Sequence, residues 1–93
     1  MIRSFKCKET ERVFNRRFSS KLSQAIQKIS LRKLGYLHAA KDVNDLLIPP
    51  ANHLEHLGGD RKGQYSIRIN KQWRICFEWY DGNAYDVEIV DYH

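Results

Sequence analysis

The chain reads as an α+β domain: three long C-terminal strands and a short N-terminal strand form an antiparallel sheet, with two N-terminal helices packed on one face. Three observations predict this. Residues 65–90 alternate apolar and polar side chains with the two-residue period of half-buried strands. The first half carries its apolar residues at helical spacing. Helical and strand patterns are segregated along the chain, which favours helices on one side of an antiparallel sheet over a parallel α/β arrangement.

The strands justify themselves residue by residue. Tyr65, Ile67 and Ile69 share one face, with Ser66, Arg68 and Asn70 on the other. In the next run Trp73, Ile75, Phe77 and Trp79 point inward, leaving Arg74, Cys76 and Glu78 outward. In the third, Tyr85, Val87 and Ile89 point inward, opposite Asp86, Glu88 and Val90. Short connections rich in turn residues make these an antiparallel meander. Matching like faces across a hairpin requires an odd loop. The loop Asn70-Lys71-Gln72 then sets Ile67 against Ile75, Tyr65 against Phe77 and Arg68 against Arg74. A loop Asp81-Gly82-Asn83 sets Trp79 against Tyr85 and Ile75 against Ile89. Directly opposed like charges cost from tenths to about 1 kcal/mol. An exposed arginine pair of this kind suits an anion, and phosphate above all, which guanidinium binds through two parallel hydrogen bonds.

Before the sheet, Ile2 and Phe5 are candidate anchors of the N-terminal strand. Lys8–Arg16 reads as a short helix, with Glu9 and Glu11 near its start and Arg16 and Arg17 at its end, as the helix dipole favours. Ser19 and Ser20 offer an N-cap for a longer helix, Leu22–Ala39. Its predicted core stripe is Leu22, Ala25, Ile26, Ile29, Tyr36, Leu37 and Ala40. Leu31 and Leu34 fall off that stripe, to pack on the first helix or to meet a partner. Leu46, Leu47 and Ile48 are core candidates before Pro49-Pro50 halts any helix. Leu54 and Leu57 anchor the connection, whose GGDRKG stretch is a turn.

The 93 residues form one domain, 1–93, with one modest core. Sixteen Lys and Arg against eleven Asp and Glu leave a net charge of +5, which favours polyanionic partners. Cys7 and Cys76 are too few and too far apart for a disulfide framework or a zinc site. No signal peptide and no membrane-spanning apolar run is recognisable, so a cytoplasmic protein without a membrane partner is expected.

Cleaving RNA without a metal needs a base for the 2′-hydroxyl proton, cations for the phosphorane, and an acid for the leaving 5′ oxygen. Arg68 and Arg74 suit the cationic role, with Arg61 and Lys71 on adjoining loops as RNA-binding candidates. The terminal Asp91-Tyr92-His93 supplies a carboxylate, a phenol and an imidazole. Strict alternation puts Tyr92 on the Arg74 face, and Asp91 and His93 opposite unless the strand has already ended. Glu55 and His56 approach from the connection. Each has a plainer reading: a solvated terminus, surface loop residues, or arginines neutralised by Glu78 or Glu88. His53, Glu55 and His56 make a low-specificity cluster that supports a metal only weakly.

The run GDRKGQYSIRINKQWRICFEW and the closing NAYDVEIVDYH resemble the HigB branch of the RelE/ParE toxin superfamily. So do the opening IRSF, the RKL of the long helix and the Pro-Pro before the sheet. The resemblance implies a RelE-like fold and an endoribonuclease that cuts mRNA under translation on the ribosome by 2′-hydroxyl attack, with no metal or cofactor. It also implies neutralisation by a HigA-type helix-turn-helix antitoxin, whose complex with the toxin represses the operon at operator DNA. By matched position Arg68 and Arg74 correspond to the phosphate-binding pair, and Asp91, Tyr92 and His93 to the terminal catalytic group. Glu55 stands where some members carry a catalytic histidine, with His56 one residue on. Glu55 takes that role, or His56 does after a local shift, or the role is weaker here. Asp91 and His93 are expected to divide the proton transfers, with Glu55 as the competing base. Two rivals accompany this reading: a ParE-like gyrase poison on the same fold, and a non-catalytic nucleic-acid-binding partner in a repressor complex.

Overall fold

Ile67, Ile75, Phe77 and Val87 have no exposed surface, and around them the sheet and helices meet. The computed structural model describes residues 1–91. Its antiparallel sheet has the order β1 (Glu55–His56), β2 (Gln64–Arg68), β3 (Trp73–Tyr80), β4 (Asn83–Asp91). Helices α1 (Lys8–Phe14) and α2 (Gln24–Ala39) contribute Val13, Leu34 and Leu37 to the same core. Full burial of each such side chain stabilises the fold by about 1.5–3 kcal/mol.

The first hairpin has the predicted register: Tyr65 opposes Phe77, Ile67 opposes Ile75, and Arg68 opposes Arg74. Asn70 closes its loop by accepting from the backbone N–H groups of Gln72 and Trp73, both at 2.8 Å. The second hairpin departs from expectation. Its loop is Asp81-Gly82 alone, since Tyr80 pairs with Asn83. Both loop residues have positive φ, 51° and 76°, as the tightest hairpin turns require. An even loop shifts the faces by one, so Ala84 rather than Tyr85 opposes Trp79 and is fully buried, while Tyr85 opposes Glu78. A bulge at Asp86 (φ 51°) restores the register, and Ile75 still meets Ile89.

The fourth strand is Glu55–His56, not the N-terminal segment. That segment lies along the outer edge of β4 instead, through isolated parallel bridges Ile2 to Ala84 and Phe5 to Val87. It thereby covers an edge that would otherwise offer unpaired backbone groups.

The long helix starts later than predicted, with Ser23 as its N-cap; the Ser23 hydroxyl accepts from the Ile26 N–H. Its buried arc is rotated as well. Ser30, Lys33, Leu34 and Leu37 are buried, whereas Ala25 and Tyr36 are exposed. Leu34 therefore belongs to the core, and Leu31 packs against it. An apolar stripe cannot reveal that Ser30 and Lys33 are buried beside Leu34 and Leu37. Past α2, Leu46 is buried, but Leu47 and Ile48 are exposed, against expectation.

The outer sheet face is not bare. Ser66 and Cys76 alternate onto it and are fully buried there, with Arg61, Arg74 and Glu88 around Cys76. Burial pushes the Cys76 thiol up from its usual range, so at neutral pH it stays a protonated, enclosed thiol. A maleimide reagent should modify half-buried Cys7 in the native protein and reach Cys76 only after denaturation. Mass spectrometry of the labelled protein checks this, and native labelling of Cys76 would contradict the packing.

Candidate active site

Two backbone devices build the cleft on the outer face. The three-residue loop aligns Arg68 and Arg74 across β2 and β3. The pairing of β1 with β2 then sets Glu55 opposite Ser66, on the arginines' face, and His56 opposite Tyr65, on the other. The result is an open cleft of about 500 Å³, lined by His53, Glu55, Arg68, Asn70, Lys71 and Arg74.

Arg74 is the hub. Only 8% of it is exposed, yet it lies on the face away from the helices. Its Nε donates to Ser66 Oγ at 2.8 Å, and its Nη2 to the His53 carbonyl at 2.6 Å. Glu55 Oε1 lies 3.8 Å from Nη2. Nη1 makes no hydrogen bond to the described residues and is not sealed from solvent, so one edge of the guanidinium is left for an incoming anion. Arg68 is half-buried; its Nε donates to the Asn70 carbonyl at 3.1 Å, and no carboxylate among the described residues pairs with it. Glu78 and Glu88 do not neutralise this pair.

The other candidates separate. Lys71 joins the cleft on its exposed loop. Arg61 does not line it: its Nη1 donates to Glu88 Oε1 at 2.8 Å and Gln64 Oε1 at 3.0 Å. Lys6 adds a weaker contact to the same Glu88 oxygen, at 3.9 Å. His56 stacks on Tyr65, with ring centroids 4.5 Å apart, and takes no part in the cleft. Asp91 is still within β4, opposite Trp73 and therefore on the face away from Arg74, and its Oδ2 accepts from Gln72 Nε2 at 3.2 Å. Tyr92 and His93 lie outside the described residues. Two cleft residues had carried little weight in the sequence. Asn70 reads as an ordinary loop residue. His53 reads as part of a weak metal cluster, and nothing in the pattern marks its left-handed backbone (φ 43°) or the carbonyl it turns toward Arg74.

Chemically, this is a half-enclosed anion site: two guanidiniums, an ammonium, an amide, an imidazole and one carboxylate. Among the described residues the carboxylate is the only acid in the lining, and it stands 3.8 Å from Arg74 Nη2. A base next to an anion-binding edge is what transfer at a phosphodiester demands.

Known proteins resemble the chain in sequence and in fold. The family described as the RelE-like toxin of type II toxin–antitoxin system HigB matches residues 3–93. "Endoribonuclease HigB" of Proteus vulgaris is 34% identical over 94 aligned positions, covering all of both chains. "Toxin HigB-1" of Vibrio cholerae is 49% identical over 63 residues, 68% of this chain and 66% of that protein. Among solved structures, the toxin–antitoxin complex YoeB-YefM from Staphylococcus aureus superposes with a TM-score of 0.63 at 17% identity, covering 100% of this chain and 98% of that one. A point mutant of YafQ from E. coli superposes at 0.59 and 16% identity, covering 98% and 91%. Those two likenesses concern the fold, which is RelE-like. The chain belongs to the HigB family of RelE-like toxins of type II toxin–antitoxin systems.

Proposed function

We propose that this chain is an endoribonuclease that cuts mRNA on the translating ribosome and that an antitoxin of the HigA type, carrying a helix-turn-helix, holds it inactive. The observation that carries the reading is the pairing of Arg68 with Arg74 at one end of a cleft that also holds Glu55. The open edge of Arg74, with Arg68 and Lys71, takes the scissile phosphate and stabilises charge as the phosphorane forms. Glu55 takes the 2′-hydroxyl proton. The 2′ oxygen attacks the adjacent phosphorus and the P–O5′ bond breaks, leaving a cyclic phosphate. His93 protonates the departing 5′ oxygen, and Tyr92 orients the phosphate or base. Asp91 points away from the cleft and is not needed in this scheme. The chain's own side chains thus supply base, cation and acid, and the ribosome supplies alignment of the message.

Translating ribosomes programmed with a defined mRNA, read by primer extension, test the activity directly. Cleavage in the decoding site is the expected result; intact message with gyrase inhibited would favour a ParE-like poison, and intact message with operator binding alone a repressor partner. Removing Tyr92 and His93 should lower the cleavage rate by about 10²–10⁴-fold, the range for losing a general acid. Circular dichroism should show the fold retained, because all of the described strand β4, Asn83–Asp91, stays in the truncated chain. A gyrase poison should keep its toxicity after that truncation.

A further inference from the structure

We infer that Lys33 and Asn52, outside the cleft, are positioning residues for Arg74. The inference rests on the endoribonuclease reading and extends it. Lys33 sits mid-helix in α2, only 4% exposed, and no carboxylate among the described residues pairs with it. Its Nζ donates to Asn52 Oδ1 at 2.6 Å. An ammonium only donates, so this bond decides which way the buried Asn52 amide faces. Asn52 Nδ2 is thereby turned to the carbonyls of Leu46, at 3.1 Å, and Ile48, at 3.4 Å. The backbone tightens the same knot: Asn52 N–H donates to Pro49 O at 2.9 Å and His53 N–H to Pro50 O at 3.0 Å. The next carbonyl, that of His53, is the acceptor for Arg74 Nη2 at 2.6 Å. One continuous relay thus runs from the helix through residues 46–53 to the guanidinium.

The relay decides which edge of Arg74 remains for the substrate. With Nε held by Ser66 Oγ, and Nη2 by the His53 carbonyl at 2.6 Å and more loosely by the Ser66 carbonyl at 3.5 Å, the Nη1 edge is left open. If residues 46–53 relax, the acceptor for Nη2 moves and the open edge rotates with it. A buried ammonium facing a neutral amide is a costly way to hold a loop merely for stability, since burial disfavours its charge. Orientation of a catalytic cation explains the arrangement better than stability does.

The test is a double-mutant cycle on single-turnover cleavage of ribosome-bound mRNA, run well below each variant's Tm with circular dichroism as the fold check. Lys33→Met should lower the rate by about tenfold or more in the native background, because small misplacements of catalytic groups carry large penalties. In an Arg74→Lys background, where the held fork is already gone, the same change should cost less than about twofold. Asn52→Asp is the second variant: its carboxylate still accepts from Lys33 but no longer donates to Leu46 and Ile48, and it should show the same non-additivity. Equal losses in both backgrounds, or a native rate in Lys33→Met and Asn52→Asp, would overturn the assignment. A native chain that cuts no RNA, alongside an active control nuclease, would overturn the endoribonuclease reading itself and this inference with it.

Discussion

Arg74→Ala will reduce single-turnover cleavage of ribosome-bound mRNA by at least about 10²–10³-fold, the range seen when one preorganised donor to a developing oxyanion is removed. The same substitution will also destabilise the protein. Ser66 Oγ loses its donor in a buried setting, at a cost of about 1–3 kcal/mol, and the part-buried His53 carbonyl loses its donor as well. Arg74→Lys separates the effects: it keeps a positive charge but cannot span Ser66, His53 and a phosphate at once. It should recover part of the Tm and little of the rate. Arg68→Ala is the complementary variant, since among the described residues Arg68 donates only to the Asn70 carbonyl. Its rate should fall with the Tm nearly unchanged. Wild-type cleavage by Arg74→Ala would sink the phosphate-binding assignment.

Glu55→Gln should split the kinetic constants in opposite directions. Losing the base lowers kcat by about 10²–10⁴-fold. Removing a carboxylate 3.8 Å from Arg74 Nη2 leaves that guanidinium less neutralised, so KM for the message should fall as well, meaning tighter binding beside slower chemistry. A side chain that only shaped the cleft would not produce both changes. An unaltered kcat would move the base to His53 or to the chain terminus. Because the Glu55 side chain is 55% exposed, the change should leave the Tm almost where it was.

The face of most strand residues, the register of the first hairpin and the confrontation of Arg68 with Arg74 were all legible in the sequence. The reason is local: a period of two combined with an odd loop leaves a single register that keeps Ile67, Ile75 and Phe77 together. The family was equally legible, because its motifs run through the same strands. The second hairpin shows where local reasoning stops. A two-residue turn and a bulge at Asp86 reach the same Ile75–Ile89 pairing as the three-residue loop, while exchanging Tyr85 for Ala84 in the core.

Contacts between residues far apart in the chain were decided by the tertiary structure alone. Glu55 and His56 are neighbours with equal claims until β2 pairs with them and turns one toward Arg74 and the other onto Tyr65. Arg61 is one more loop cation until Glu88, distant in sequence, engages it. Lys33 interrupts the predicted apolar stripe of its helix, with no visible reason until Asn52 meets it in the interior. Periodicity along the chain determined which face each strand residue takes, because alternation is a property of consecutive backbone. Which polar groups answer one another is a property of the packed molecule, since a buried charge is tolerated only where folding brings it an acceptor.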